Sequence, residues 1–168
     1  PVVLVNPAMT GRGFKDACAR RGLPTIALYT LDDTLLAAYD HDYRRGDAEV
    51  VHAGDSVAAR ARLPAAVRAV VPTTEPSVVI ADELSAQLRL PGNPARTALA
   101  RRSKIEMRRW AHRAGLRVPA FELVPGPEVS AAAARIGHPA IVKPQHGAGS
   151  HGVVMVPDAT VAPNLISH

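Results

Sequence analysis

The sequence predicts an α/β protein in which a doubly wound parallel sheet is followed by a second, smaller unit. Two observations predict this fold class. Four short apolar segments alternate with helical segments, and a Pro- and Gly-containing segment then coincides with a change in charge. Consecutive strand–helix units are typical of parallel sheets that carry helices on both faces. The boundary divides the 168 residues into domains 1–92 and 93–168.

Each strand of the first domain is predicted from a short apolar segment, and each helix from its periodicity and its capping residue. A continuous apolar run such as Val2–Val5 is typical of a strand that is buried on both faces of a parallel sheet. The predicted strands are Val2–Val5, Thr25–Tyr29, 48–52 and 67–71. The predicted helices are 14–21, 31–39, Ser56–Arg62 with Ser56 as its cap, and 75–90.

The segment 90–94 (LPGNP) marks the domain boundary, because Pro and Gly interrupt regular structure. Residues 1–95 carry 10 basic and 11 acidic side chains, a net charge of −1, whereas residues 96–168 carry 10 and 4, a net charge of +6. Asn93 is a predicted cap for helical structure that extends to residue 114, with a break near Ser103. The remaining predicted elements are a strand at 118–124, a helix at Val129–Ile136, and strands at 140–143 and 152–156.

Composition excludes several classes of protein. A single cysteine, Cys18, rules out a disulfide framework, and no apolar run approaches the roughly 20 residues that span a bilayer. We recognise no signal peptide and expect a cytoplasmic protein without a membrane partner. The basic second half fits a polyanion, either a nucleic acid or a nucleoside triphosphate. Nucleic acid is the less favoured ligand, because Trp110 and Phe121 are the only aromatic side chains there for stacking on bases.

The most informative motif is the segment 139–156 (PAIVKPQHGAGSHGVVMV), a strand–loop–strand pattern. Lys143 ends the first strand, and the loop contains Gly147, Gly149 and Gly152. Glycines let backbone N–H groups approach phosphate oxygens, and a lysine adds a positive charge beside them. Ser150 offers a further donor. The alternative is a surface hairpin whose loop needs glycine only for its backbone conformation.

A second basic motif surrounds Lys104. Five basic residues lie within three helical turns, and Lys104 and Arg108 share one helix face. In one hypothesis Lys104 reaches a phosphate that the glycine loop holds. In the alternative the segment is a solvated basic helix face. The five residues are Arg101, Arg102, Lys104, Arg108 and Arg109.

Taken in order, three motifs resemble the front part of an ATP-grasp carboxylate–amine ligase, closest to the L-amino-acid ligase and dipeptide-synthetase branch. These motifs are TTEPSVVIADELSAQLRLPGN (73–93), the helix with Lys104 that ends in AGLRVPAFELV, and the hairpin IVKPQHGAGSHGVVMV. The resemblance implies a Rossmann-like pre-ATP-grasp domain over 1–92. It also implies the first, incomplete part of an ATP-grasp domain over 93–168.

The resemblance also implies site residues and a reaction. Lys104 and Lys143 match the two nucleotide-contacting lysines of the family. The loop over the triphosphate is matched by Gly147, Ala148, Gly149, Ser150, His151 and Gly152. Glu75 matches a family feature near the acceptor pocket, and Asn6 lies beyond the first strand, where ligands of open α/β sheets bind. In such enzymes ATP phosphorylates a carboxylate, and an amine attacks the acyl phosphate with release of ADP and phosphate.

The sequence departs from the family in its magnesium ligands. Beyond Lys143 the only acidic residue is Asp158, which lies in a Pro-flanked segment close to the loop. We therefore expect the Mg²⁺ carboxylates outside this chain, no metal ligand within it, and no phosphoryl transfer by this chain alone. Two hypotheses follow: a fragment of an ATP-dependent ligase, completed by a longer chain or a C-terminal subunit, or a catalytically incomplete module that pairs with another subunit or itself. The residues assign neither the catalytic groups nor the substrates.

Overall fold

The computed structural model describes residues 1–147 and 149–160 and divides the chain into two compact units, Pro1–Arg101 and Arg102–His168. The first unit contains four parallel strands in the order β3-β2-β1-β4. They are β1 (Val2–Val5), β2 (Thr25–Tyr29), β3 (Val50–His52) and β4 (Ala69–Pro72). The predicted parallel α/β fold class is therefore confirmed. In the described part of the chain, no helix is long and apolar enough to cross a membrane.

Helices cover both faces of this sheet. One face, with Val3 and Val5, packs against α3 and α4, and the other, with Ala27 and Tyr29, packs against α2. Alternate residues of a strand point to opposite faces, so the continuous apolar strands supply two separate cores. The helices are α1 (Arg12–Ala19), α2 (Asp33–Tyr39), α3 (Ser56–Arg62) and α4 (Val78–Gln87), with 3₁₀ helices at Met9–Gly11, Glu75–Ser77 and Ala95–Arg101.

The first unit extends beyond residue 92 because the 3₁₀ helix Ala95–Arg101 packs against α4. The Arg101 guanidinium donates to Asp82 Oδ2 through Nε at 3.1 Å and through a terminal nitrogen at 2.5 Å. The Asp82 side chain is buried, so this ion pair holds the 3₁₀ helix on the sheet domain. The boundary between the compact units therefore lies after the 3₁₀ helix Ala95–Arg101 rather than at residue 92. The identity of the two domains stays a prediction.

A buried ion pair joins α1 to the loop that follows α2. Lys15 Nζ lies 2.5 Å from Asp47 Oδ1, and both side chains are almost fully buried. The same ammonium donates to the Tyr43 carbonyl at 2.5 Å, and the Tyr29 hydroxyl donates to Asp47 Oδ2 at 2.8 Å. Burial and the hydrogen bond to Asp47 raise the pKa of Tyr29. This network holds the irregular loop against the end of β2.

The second unit is built around two helices and a hairpin. They are α5 (Lys104–Arg113), α6 (Val129–Ile136), β5 (Ala140–Val142) and β6 (Val154–Val156). The strands pair antiparallel, with Ile141 opposite Met155. The bounds of α6 are those predicted from the sequence, and the two strands lie within the predicted segments.

Two predictions about local structure are wrong. The segment 118–124 is not a strand: it makes no strand pairing in the described residues, and Pro119 has no backbone N–H to donate to one. Ser56 is not the cap of α3, because the Asp55 carboxylate accepts from Ala58 N at 2.7 Å. The Ser56 hydroxyl instead donates to Glu83 at 2.9 Å.

We expect Asp47→Ala to lower the free energy of unfolding by about 3–5 kcal/mol, because it leaves the Lys15 ammonium buried without its counter-charge. Urea denaturation measures this change. Asp42→Ala is the control, since the Asp42 carboxylate is half exposed and lies 3.8 Å from Arg45. Adding Lys15→Met to Asp47→Ala removes the unpaired charge and should restore part of the loss. A double variant as unstable as the single one contradicts this account.

Candidate functional site

The two lysines predicted as ligand-binding residues line one cavity of about 660 Å³ in the second unit. Lys104 is the first residue of α5 and is partly buried, and Lys143 directly follows β5 and is exposed. The other lining residues are Ile105, Met107, Arg108, residues 119–123, residues 136–141 and Gln145. The structure therefore brings together two cations that are far apart in the sequence.

Hydrogen bonds fix the start of α5 next to the segment that follows β5. Ser103 caps the helix, because its hydroxyl accepts from Glu106 N at 3.4 Å. The same hydroxyl accepts from Gln145 Nε2 at 3.3 Å, and Lys104 N donates to the Gln145 carbonyl at 3.1 Å. Ser103 is almost fully buried, so both segments are held at one place. These bonds position the two lysines with respect to each other.

The glycine loop has left-handed φ values, which favour glycine, and at one position it also has no room for a side chain. Gly149 and Gly152 have φ values of 64° and 67°, and Ser150 lies between them at 60°. A Cβ at Gly152 would lie 2.8 Å from Pro144 Cγ, so a side chain at that position would force the two ends of the loop apart. The loop is therefore more tightly constrained than a hairpin connection of arbitrary sequence.

The loop reaches the first lysine directly. Lys104 Nζ donates to the Gly147 carbonyl at 3.1 Å. Ser150 and His151 are exposed within the loop, and His151 Cδ2 lies 3.3 Å from the position of a Cβ on Gly149. Ala148 lies outside the described residues. Lys104, Lys143 and Gly147 thus lie close together. The ligand-binding roles of these residues and of the other loop residues stay predictions.

Apolar side chains of the irregular segment 119–123 and of β5, such as Phe121, Leu123 and Ile141, also line the cavity. An ion pair ties this segment to α6. The Arg135 guanidinium contacts both Glu122 oxygens, at 2.6 Å to Oε2 from a terminal nitrogen and at 3.2 Å to Oε1 from Nε. The hydrogen bonds from Arg135 lower the pKa of Glu122 below its ordinary value.

The first unit contains the two residues predicted to lie near a substrate. Asn6 is fully buried, with φ at 52°. Its amide accepts from Thr30 N and donates to Thr30 Oγ1, both at 2.8 Å. The Asn6 side chain therefore joins the ends of β1 and β2. Glu75 is exposed at the start of the 3₁₀ helix after β4, at the carboxyl edge of the sheet.

The described residues do not form a cluster of the kind that holds a magnesium ion. Residues 1–147 and 149–160 contain no group of three or more His, Cys, Asp or Glu side chains placed to bind a metal. Asp158 accepts from Thr160 Oγ1 at 2.5 Å and from Thr160 N at 2.8 Å. These bonds lower the pKa of Asp158. Its carboxylate is therefore engaged within its own turn.

No protein-family model and no curated protein matches the chain. Solved structures do match, and three of them each cover 94% of this chain. An L-amino acid ligase from Bacillus licheniformis has a TM-score of 0.60 and 19% identity. An ADP complex of N5-carboxyaminoimidazole ribonucleotide synthetase has a TM-score of 0.67 and 17% identity. The N5-carboxyaminoimidazole synthetase from Staphylococcus aureus complexed with ADP has a TM-score of 0.66 and 16% identity.

This likeness shows the fold, which is the one that the motif order implies. The chain covers 39% of the Bacillus licheniformis protein and 41% of each of the two synthetases. It therefore has the architecture of about two fifths of these longer chains.

Four residues of the site are not predicted from the sequence: Ser103, Gln145, Phe121 and Arg108. The cap position of Ser103 and its bond to Gln145 depend on a contact between segments far apart in the sequence. The sequence indicates Phe121 only as an aromatic side chain, and it lies on the segment predicted as a strand. A signal existed for Arg108, because it follows Lys104 by four residues on one helix face.

We expect the Glu122 carboxyl to titrate below its ordinary value of 4.5, because Arg135 stabilises the charged form. The ion pair therefore stabilises the folded chain fully above about pH 4.5, and this contribution is lost as the pH falls through the lowered pKa. Carbon NMR of the carboxyl group measures the midpoint. Arg135→Gln should return the midpoint towards 4.5, whereas Arg117→Gln should leave it unchanged. An unchanged midpoint in Arg135→Gln contradicts the assignment.

Proposed function

We propose that this chain forms part of the nucleotide site of an ATP-dependent carboxylate–amine ligase. One observation carries the proposal: Lys104 and Lys143 line a single cavity, and the glycine loop reaches Lys104. The order of the sequence motifs supports the same assignment. Under this proposal the first unit is the pre-ATP-grasp domain and the second is the first part of the ATP-grasp domain.

The chemistry of the cavity suits a nucleotide. Phosphate groups are bound in proteins by lysine ammonium groups and by backbone N–H groups that glycine leaves accessible. Apolar side chains such as Phe121 and Ile141 offer a surface for a nucleobase, since ligand sites combine apolar walls with a few polar groups. The cavity of about 660 Å³ falls within the usual size range of small-molecule sites.

The structural neighbours support the type of reaction. One is a ligase and two are synthetases whose structures contain ADP. We propose that ATP phosphorylates a substrate carboxylate and that an amine attacks the acyl phosphate, which releases phosphate and leaves an amide. Magnesium supplies charge neutralisation in such transfers, and its carboxylate ligands are proposed to lie outside the described residues. We propose Glu75 and Asn6 as substrate-side residues of the first unit, where both follow strands at the carboxyl edge of its sheet.

We expect Lys104→Ala and Lys143→Ala each to weaken ATP binding by about tenfold, the typical effect of losing one charge-assisted hydrogen bond to phosphate. The double variant should bind more weakly than either single variant. Isothermal titration calorimetry on the full chain measures the affinities. Arg117→Ala is the matched control, because Arg117 is exposed and is not among the residues that line the cavity. If the double variant binds ATP as tightly as the control, the proposed nucleotide site is wrong.

A second candidate function is that of an interaction module without activity of its own. The hairpin favours it, because Ile141 and Met155 are 53% and 60% exposed although they are paired apolar residues. Exposed apolar strands of a small sheet promote association. Light scattering should then detect a dimer of this chain, and Met155→Lys should return it to a monomer. A monomer at high protein concentration contradicts self-association.

A further inference from the structure

A third cation lies in the cavity together with the two lysines. Arg108 follows Lys104 by one turn of α5, and both line the cavity that also contains Lys143. The Arg108 side chain is partly buried. Residues four apart on a helix lie on the same face, so Lys104 and Arg108 form one cationic edge of the cavity.

Arg108 differs from the neighbouring arginines of α5 in its contacts. Arg109 donates to Glu106 at 2.6 Å, and the Arg113 guanidinium lies 5.9 Å from the centre of the Trp110 ring. Among the residues that the structure describes, the Arg108 guanidinium has neither a hydrogen bond nor an ion pair. Its five N–H donors therefore remain available for a ligand in the cavity.

The acidic residue in the cavity wall does not compensate these charges. Glu122 is engaged by the Arg135 guanidinium, with the shortest contact at 2.6 Å. The cavity therefore has three cations, Lys104, Arg108 and Lys143, without a free carboxylate among the described lining residues. Like charges that converge on a partly enclosed space repel each other, and an anion there relieves that repulsion.

We propose that Arg108 is a third phosphate-binding residue of this cavity and that it favours nucleotides with more than one phosphate. This inference rests on the proposed nucleotide site. Two lysines balance the charge of a monophosphate, whereas a diphosphate or triphosphate carries additional charge for a third cation. The planar guanidinium matches two phosphate oxygens at once, which a lysine ammonium does not.

The test compares the affinities of ADP and AMP for the full chain by calorimetry. Arg108→Gln removes the charge but retains much of the side-chain stem, and Arg108→Ala is the second variant. We expect either change to weaken ADP binding by about tenfold and AMP binding by less than about threefold. Arg108→Lys should bind ADP with an affinity between those of the unmodified chain and Arg108→Gln. It keeps the positive charge but loses the planar group that contacts two oxygens at once. Arg113→Ala on the same helix is the control and should leave both affinities within about twofold.

The outcomes separate this inference from the proposed function. If Lys143→Ala weakens ADP binding while Arg108→Gln behaves like Arg113→Ala, the nucleotide site stands and the role of Arg108 is overturned. If Arg108→Gln weakens ADP and AMP binding equally, the preference for more than one phosphate is overturned. If the unmodified chain does not bind ADP, both proposals fall. Circular dichroism of each variant shows that a loss of affinity is not a loss of folding.

Discussion

The candidate site depends on the hydrogen bonds between the start of α5 and the residue Gln145. A two-stranded hairpin and a helix do not by themselves keep two lysines at one cavity. The Ser103 hydroxyl and the Lys104 amide both bond to Gln145, one to its side chain and one to its carbonyl. These bonds join the start of α5 to the segment after β5. Because Lys104 and Lys143 lie at these two places, the bonds also fix the positions of the two lysines. The Arg135–Glu122 ion pair likewise joins α6 to the segment 119–123, which contributes apolar side chains to the cavity.

The first unit shows the same dependence on contacts between distant residues. The Thr73 hydroxyl shares its one proton between the carbonyls of Val5 and Asn6, each 2.8 Å from Oγ1, and the Asn6 side chain in turn bonds to Thr30. A Cβ at Gly11 would lie 2.6 Å from that Thr73 hydroxyl. The loops that follow β1, β2 and β4 therefore meet at one edge of the sheet, around a residue without a side chain. Open α/β sheets bind their ligands at this edge.

The sequence was informative wherever structure follows from local pattern. The bounds of β1, β2 and α6 are predicted from apolar runs and helical periodicity, whereas α3 begins one residue earlier than its predicted cap implies. The predicted strand at 118–124 failed because an apolar pattern does not reveal whether a partner strand lies beside it. The burial of Lys15 was beyond prediction for a related reason: its partner Asp47 lies in an irregular loop after another helix. The placement of Lys104 and Lys143 at one cavity followed from the order of motifs, whereas Gln145 and Phe121 required the structure.

The contact between Lys104 and the Gly147 carbonyl has a consequence for the entropy of binding. A free lysine side chain loses about 2 kcal/mol of rotamer entropy when a ligand immobilises it. Here one of the three N–H donors of the ammonium already bonds to Gly147, and two remain for another acceptor. This hydrogen bond restrains the side chain in the folded protein. An anion that enters the cavity therefore loses less of its interaction energy to the ordering of Lys104 than it would with an unrestrained lysine.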